Sequence, residues 1–241
     1  MSRVAHLCVV LLLGCRDKPQ APLRVAAASD LIDAFTVLGQ RFENETKVHV
    51  EFAFGSSGLL AKQLSEGAPF DVFAAASASA IAETVKAGAC DGASARHFAT
   101  GRLVLWPQRA PLATLSGLEG RIALANPEHA PYGRAAKEAL QKAGLWAEIE
   151  PRVVYAENVR QALQFVDTGN TESGLVAWSN VVGRDGGAEA MRVDASLHAP
   201  LEQVVATCRR GTRAADGLRF IDFLQRPESR AELTKRGFEL P

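Results

Sequence analysis

Residues 23–64, LRVAAASDLIDAFTVLGQRFENETKVHVEFAFGSSGLLAKQL, decide the fold. Leu23 to Ala28 is a short apolar run interrupted only by Arg24, which reads as a strand. Leu31, Phe35, Leu38 and Phe42 then recur at helical spacing and predict a helix to about Glu45. Val48 to Phe54 returns to strand character, and Leu60 and Leu64 mark a short helix that Gly67 ends. Strand, helix, strand, helix in this order is the grammar of βαβ units and parallel sheets.

The pattern continues outward. Asp71 to Ala75 is a third strand, followed by a helix over 78–87. It restarts with strands at 102–106 and 121–125, a helix over 133–143 and a strand at 152–155. Val159, Ala162, Leu163 and Val166 then line the inner face of another helix. Further strands are expected at 174–177, 190–193 and 203–207, followed by helices over 214–225 and 227–236. This count fits two α/β lobes of mixed, mostly parallel sheets with flanking helices. Without a long Pro/Gly/Ser linker, the arrangement is read as discontinuous. Lobe 1 is 23–101, lobe 2 is 102–206, and 207–241 returns to lobe 1.

Bulk composition narrows the function. The 241 residues hold 27 Lys plus Arg and 27 Asp plus Glu, with 47% apolar and 22% charged residues. That balance, without a basic cluster bearing interleaved aromatics, excludes a nucleic-acid partner. An anion site in this chain must rest on local dipoles rather than on a global positive field. There is no CxxC or HExxH motif, and His49, His97, His129 and His198 are scattered, so no protein-ligated metal is expected.

The N-terminus carries a different signal. Arg3 precedes an apolar stretch from Val4 to Leu13 that is too short to span a bilayer, which takes about 20 residues. Residues 1–15 read as a secretory signal. Leu12-Leu13-Gly14-Cys15 resembles the lipobox of bacterial lipoproteins, which implies cleavage before Cys15 and acylation of that cysteine. Residues 16–22 form a polar, proline-bearing tether. Cys90 and Cys208 remain as thiols of the folded part. An exported pair is able to form a disulfide, yet a separation of 118 positions carries no spacing signal and favours separate buried thiols.

Four strand–helix junctions hold the candidate chemistry: Ser29-Asp30, Gly55-Ser56-Ser57-Gly58, Pro131-Tyr132-Gly133 and Glu157-Asn158-Val159. Helix N-termini present unpaired N–H groups and partial positive charge, which suits an anion. In open α/β sheets ligands bind beyond the carboxyl ends of the strands, where these junctions fall. Any single junction reads as an ordinary N-cap; the conjunction is what points to a ligand. Hydrogen bonds to a charged group contribute roughly 1.5–3 kcal/mol each. About six would give ~9–18 kcal/mol before desolvation and ordering. The net is then compatible with about micromolar to nanomolar binding.

These segments carry a family resemblance. Ala26-Ala27-Ala28-Ser29-Asp30-Leu31 and Phe54-Gly55-Ser56-Ser57-Gly58-Leu59-Leu60 resemble the two serine motifs of periplasmic molybdate-binding proteins. Gly67-Ala68-Pro69-Phe70-Asp71-Val72-Phe73 is similar to the strand that follows. Asn126-Pro127-Glu128-His129-Ala130-Pro131-Tyr132-Gly133 and Asn158-Val159-Arg160-Gln161-Ala162-Leu163 resemble the later signatures. The likeness runs in order from Leu23 to Phe238. It implies a two-lobe periplasmic-binding-protein fold of type II, closing on an oxyanion across two hinge strands. It implies molybdate or tungstate as ligand, no cofactor, an inner-membrane ABC permease as partner, and a monomer held extracytoplasmically through a lipid anchor. By motif, Ser29 and Ser57 would donate from hydroxyl and backbone, and Tyr132 and Val159 from backbone N–H.

Departures touch selectivity. Where some relatives carry a ligand-binding tyrosine, this chain has Ala177; the indole of the following Trp178 would substitute only by turning inward, and a core or surface position suits it better. Ala76-Ser77 stands where an Ala-Asp pair is common. Competing readings are other oxyanions, such as sulfate or phosphate, and an exported hydrolase. Phosphate at neutral pH benefits from a carboxylate that accepts its proton, whereas a carboxylate repels fully deprotonated molybdate. Asp30 is the nearest such group, with stabilisation of its helix start as the ordinary role. The hydrolase reading fails because Gly55-Ser56-Ser57-Gly58-Leu59 lacks the G-x-S-x-G spacing.

Overall fold

The computed structural model describes residues 21–107 and 120–241. The expected signal segment, Cys15 and most of the tether lie outside these residues. The first sheet begins with β1 (Leu23–Ala28), β2 (Val50–Gly55) and β3 (Val72–Ala75), parallel and ordered β2-β1-β3. Connecting and following them are α1 (Ile32–Thr46), α2 (Ser57–Ser65) and α3 (Ala78–Lys86). The strand period of two sorts β1 and β3 between two cores. Val25, Ala27, Val72 and Ala74 face the α1 side, while Ala26, Phe73 and Ala75 join Leu60, Leu64 and Ile81 of α2 and α3. On the α1 side Phe35, Phe42 and Phe220 interlock edge to face, with ring centroids 5.3–5.8 Å apart.

The second sheet has the order β5-β8-β6-β7. Its strands are β5 (Leu103–Trp106), β6 (Ile122–Ala125), β7 (Val153–Ala156) and β8 (Ser173–Ala177). β6 is parallel to β7 and β8, and β5 closes the edge antiparallel to β8. Helices α4 (Pro131–Lys142) and α6 (Val159–Asp167) flank this sheet, with the short α5 (Trp146–Ile149) between them.

Three sequence expectations need correction. β9 (Leu201–Thr207) pairs antiparallel with β3 and with β4 (Arg96–Gly101), so it belongs to the first sheet. The chain therefore returns from the second sheet before residue 201, not at 207. Residues 190–193 form no strand; Arg192 makes only an isolated bridge to Val104. Cys90 and Cys208 are not separate thiols but a disulfide, formed where the two residues bridge antiparallel.

The terminal helices α7 (Ala214–Leu224) and α8 (Pro227–Lys235) pack back on α1. After α8, Glu239 exchanges backbone hydrogen bonds with Thr100 (2.7 and 2.9 Å) and its carboxylate pairs with Arg102. Gly101, between those two residues, sits where β4 hands the chain to β5 in the other sheet. A Cβ there would lie 2.1 Å from the Tyr132 hydroxyl. Glycine lets the tyrosine of one lobe reach the crossing strand.

Candidate functional site

The carboxyl ends of β1, β2, β6 and β7 each give way to a helix start, and the four starts converge. Ser29 opens a 3-10 turn (Ser29–Leu31) after β1, and Ser57 is the first residue of α2. Pro131 and Tyr132 open α4, and Val159 opens α6. Ser29, Ser57, Tyr132 and Val159 all line one cavity of about 10 Å³. That is about the room a single water needs, and pockets for drug-sized molecules usually run from about 300 Å³ upward, so this one suits only a guest of a few atoms.

The first N–H groups of a helix have no intrahelical acceptor, and local sequence leaves those at this cavity available. Neither Ala28, Ser56 nor Ala130, the residues before the first three starts, makes a side-chain cap. Pro131 at the head of α4 has no N–H to satisfy and fixes φ for the helix. Asn158 does cap α6, but its Oδ1 accepts from Gln161 N–H at 3.0 Å and leaves Val159 free of it. Gly133 lets α4 start tight against its strand, because a Cβ would meet Ala125 O at 2.1 Å.

Side chains aim the remaining donors. Ser57 Oγ accepts from Ala76 N–H at 3.0 Å, which fixes the oxygen and leaves its own proton to be given elsewhere. Ser56 Oγ instead donates to His129 O at 2.6 Å, and Gly58 N–H donates to the same carbonyl at 2.9 Å. Since the single Ser56 proton is spent on that carbonyl, His129 Nδ1, 3.0 Å from Ser56 Oγ, is the donor in their contact. These bonds join the first lobe to the second across the cavity mouth.

A second cross-lobe cluster lies beneath. Asp30 is 1% exposed and accepts at Oδ2 from Tyr132 Oη (3.1 Å) and Gln203 Nε2 (2.8 Å). Its backbone carbonyl accepts from Ser179 Oγ (2.9 Å) and Asn180 Nδ2 (3.3 Å). Burial pushes the Asp30 carboxyl up to about 7, against the opposing hydrogen bonds from Tyr132, from its own backbone and from Gln203. The Tyr132 phenol is held well above its usual range, by burial first and then by the charge on Asp30. It is therefore a donor at any ordinary pH.

Sequence reasoning anticipated neither the buried tyrosine ring nor the role of Asp30, which it assigned to its helix start. It also passed over Ser56 and His129. Trp178 stays outside the cavity: its indole Nε1 donates to Gly187 O at 3.0 Å, and Arg192 stacks 4.4 Å over its ring. Ala177 is a buried strand residue with no donor to offer.

Among the described residues, no lysine, arginine or histidine lines the cavity. A larger interlobe groove, about 360 Å³, is lined by Arg160, Arg184, Lys235 and Arg236 together with Asp33. Arg160 there pairs with Asp33 (2.9 Å), Arg184 with Asp167 (2.7 Å) and Arg236 with Glu232 (3.0 Å), so most of its positive charge is already answered. Among the described residues, no group of three or more His, Cys, Asp or Glu gathers to hold a metal ion. No helix among them is long and apolar enough to cross a membrane.

Comparison with known proteins gives consistent relatives. Residues 23–239 match the family described as bacterial extracellular solute-binding protein. The molybdate-binding protein ModA of Rhodobacter capsulatus is 36% identical over 218 residues, covering 88% of this chain and 86% of the relative. ModA of Escherichia coli is 32% identical, covering 92% and 90%. The solved periplasmic molybdate-binding protein of Azotobacter vinelandii superposes with a TM-score of 0.82 at 27% identity, covering 91% of this chain and 99% of that one.

Proposed function

We propose a function from one premise: the chain belongs to the bacterial extracellular solute-binding protein family. It captures molybdate on the outer side of the cytoplasmic membrane and delivers it to an ABC-type importer. The relatives of highest identity cited above are named for molybdate binding, and they match over most of their length. The carrying observation is the convergence of four helix starts from two lobes on one small cavity that, among the described residues, no cationic side chain lines.

In this reading Ser29 and Ser57 donate from hydroxyl and backbone, and Tyr132 and Val159 from backbone N–H, to the four oxygens of a tetrahedral dianion. Donors bond to oxygen, and no protein atom ligates the metal. Tungstate, of the same shape and charge, is the second ligand. The chain turns over no substrate, works as a monomer, and is held to the membrane by acylated Cys15. Lobe closure excludes water, which strengthens each donor in the low-dielectric cavity.

One observation favours a second reading. Asp30 borders the cavity, and a carboxylate is the acceptor that hydrogen phosphate seeks. A thermal-shift panel of molybdate, tungstate, sulfate and phosphate separates the two. A ligand at 1,000 times its Kd stabilises the native state by about 4 kcal/mol, so the panel ranks affinities directly. Molybdate and tungstate are expected to shift the melting temperature at the lowest concentrations. An equal or stronger response to phosphate would replace the molybdate assignment, and silence to all four would remove the oxyanion site.

A further inference from the structure

Among the described residues, Asp30 is the one carboxylate on the wall of the cavity. It follows Ser29 directly, and its two bonded partners, Tyr132 and Gln203, are neutral. Its other oxygen, Oδ1, is buried without a hydrogen-bond partner. Charged groups on the packed elements do not answer it. Arg160 of α6 and Asp33 of α1 are paired with each other at 2.9 Å. Glu202 of β9 neighbours Gln203 and so points to the opposite face of that strand. Glu51 of β2 is exposed and lies 4.0 Å from Arg24.

Resting on the reading of this cavity as an oxyanion site, we propose that Asp30 is a specificity-determining residue that takes up one proton from solvent when a dianion binds. An ionised, buried Asp30 beside a doubly negative guest would meet like charge with no cation between them. Protonation removes that repulsion: carboxylate plus solvent proton plus dianion gives carboxylic acid plus bound dianion. Oδ1, the oxygen without a donor, is the open place for the proton. Burial already holds the group at about 7, so near neutral pH the proton is available at small cost, and a neighbouring dianion raises the value further.

The sign follows from linkage. Below about 7 the group already carries its proton and binding takes up none; above it, each bound dianion takes up one, and affinity falls about tenfold per pH unit. Between pH 6 and 8.5 the loss is roughly thirtyfold. Molybdate itself stays a dianion across this interval, so the slope belongs to the protein.

Isothermal titration with micromolar molybdate at pH 6, 7 and 8.5, in buffers of different ionisation enthalpy, measures Kd and proton count together. The expected result is close to zero protons at pH 6, close to one at pH 8.5, and a matching fall in affinity. In Asp30→Asn the proton count at pH 8.5 and the pH slope should both vanish. A wild-type Kd that is flat with pH, without proton uptake, overturns the proposal while leaving the oxyanion site standing. Absence of binding at every pH overturns the site and the proposal with it. The wild-type proton count decides the matter even if the variant does not fold.

Discussion

Gly58 offers a test of whether the two lobes must meet as they do here. A Cβ on residue 58 would lie 2.5 Å from His129 O, 3.0 Å from its Cα and 3.1 Å from its carbonyl carbon. Carbon–oxygen contacts settle at about 3.3 Å or more, so Gly58→Ala forces the mouth apart by roughly 0.8 Å. Three cross-lobe bonds are confined to that spot: Gly58 N–H to His129 O (2.9 Å), Ser56 Oγ to His129 O (2.6 Å) and Ser56 Oγ with His129 Nδ1 (3.0 Å). At about 0.5–1.5 kcal/mol each, the closed state loses roughly 1.5–4.5 kcal/mol, which weakens molybdate binding about tenfold to a thousandfold. The lobes themselves should not suffer. Gly58 is the second residue of α2 and has no left-handed φ, and alanine is favoured over glycine in a helix by about 1 kcal/mol. Calorimetry should show the weakened Kd, while the ligand-free melting temperature stays level or rises. Wild-type affinity in Gly58→Ala would refute the claim that contact at His129 is part of the binding-competent state.

Other substitutions test separate parts of the argument. Ser57→Ala removes a hydroxyl already oriented by Ala76 N–H, and Ser29→Ala removes its counterpart; each should weaken molybdate binding about tenfold, or ~1.4 kcal/mol, by calorimetry. Trp178→Phe deletes the bond to Gly187 O and should cost about 1 kcal/mol of stability in denaturant titration with the molybdate Kd unchanged. Cys208→Ser opens a covalent loop spanning 118 positions, for which chain entropy gives roughly 4–5 kcal/mol. The melting temperature should fall by about 10 °C. Affinity should hold, since Cys208 follows Thr207, which pairs with Val72 at the start of β3, opposite the strand ends that carry the cavity.

The elements legible in the sequence were those with an unbroken apolar run or a clean helical repeat. β1 is buried at every position but Arg24, α1 buries Phe35, Leu38 and Phe42 at helical spacing, and the same stretch delivers Ser29 and Ser57 to helix starts. β4 escaped because its pairing slips between His97 and Ala99, so Phe98 and Ala99 are buried in succession and the period of two is lost. Residues 190–193 are apolar at three of four positions, as a strand often is, but find only one bridging partner. β9 was recognised as a strand and given to the wrong lobe, because strand character says nothing about which sheet supplies the neighbours. The disulfide and the Asp30 network were illegible for one reason. Their partners are distant in the chain, Tyr132 by 102 positions and Gln203 by 173, and an aspartate before a helix has a sufficient local explanation.

A cavity built from dipoles discriminates among anions by where their protons are. Every group argued to reach the guest is a donor: two hydroxyls and the N–H groups of four helix starts. A fully deprotonated tetrahedral dianion presents only acceptors and satisfies them all. Hydrogen phosphate brings one O–H that needs an acceptor, and the wall supplies one candidate, the carboxyl of Asp30. Once Asp30 is protonated that acceptor becomes a donor, so the event that removes repulsion for molybdate also removes the partner hydrogen phosphate would need. Selectivity and proton uptake are then two consequences of one buried carboxyl without a counter-ion. The larger groove lined by Arg160, Arg184 and Arg236 cannot substitute for it, because those guanidinium groups are already paired with Asp33, Asp167 and Glu232.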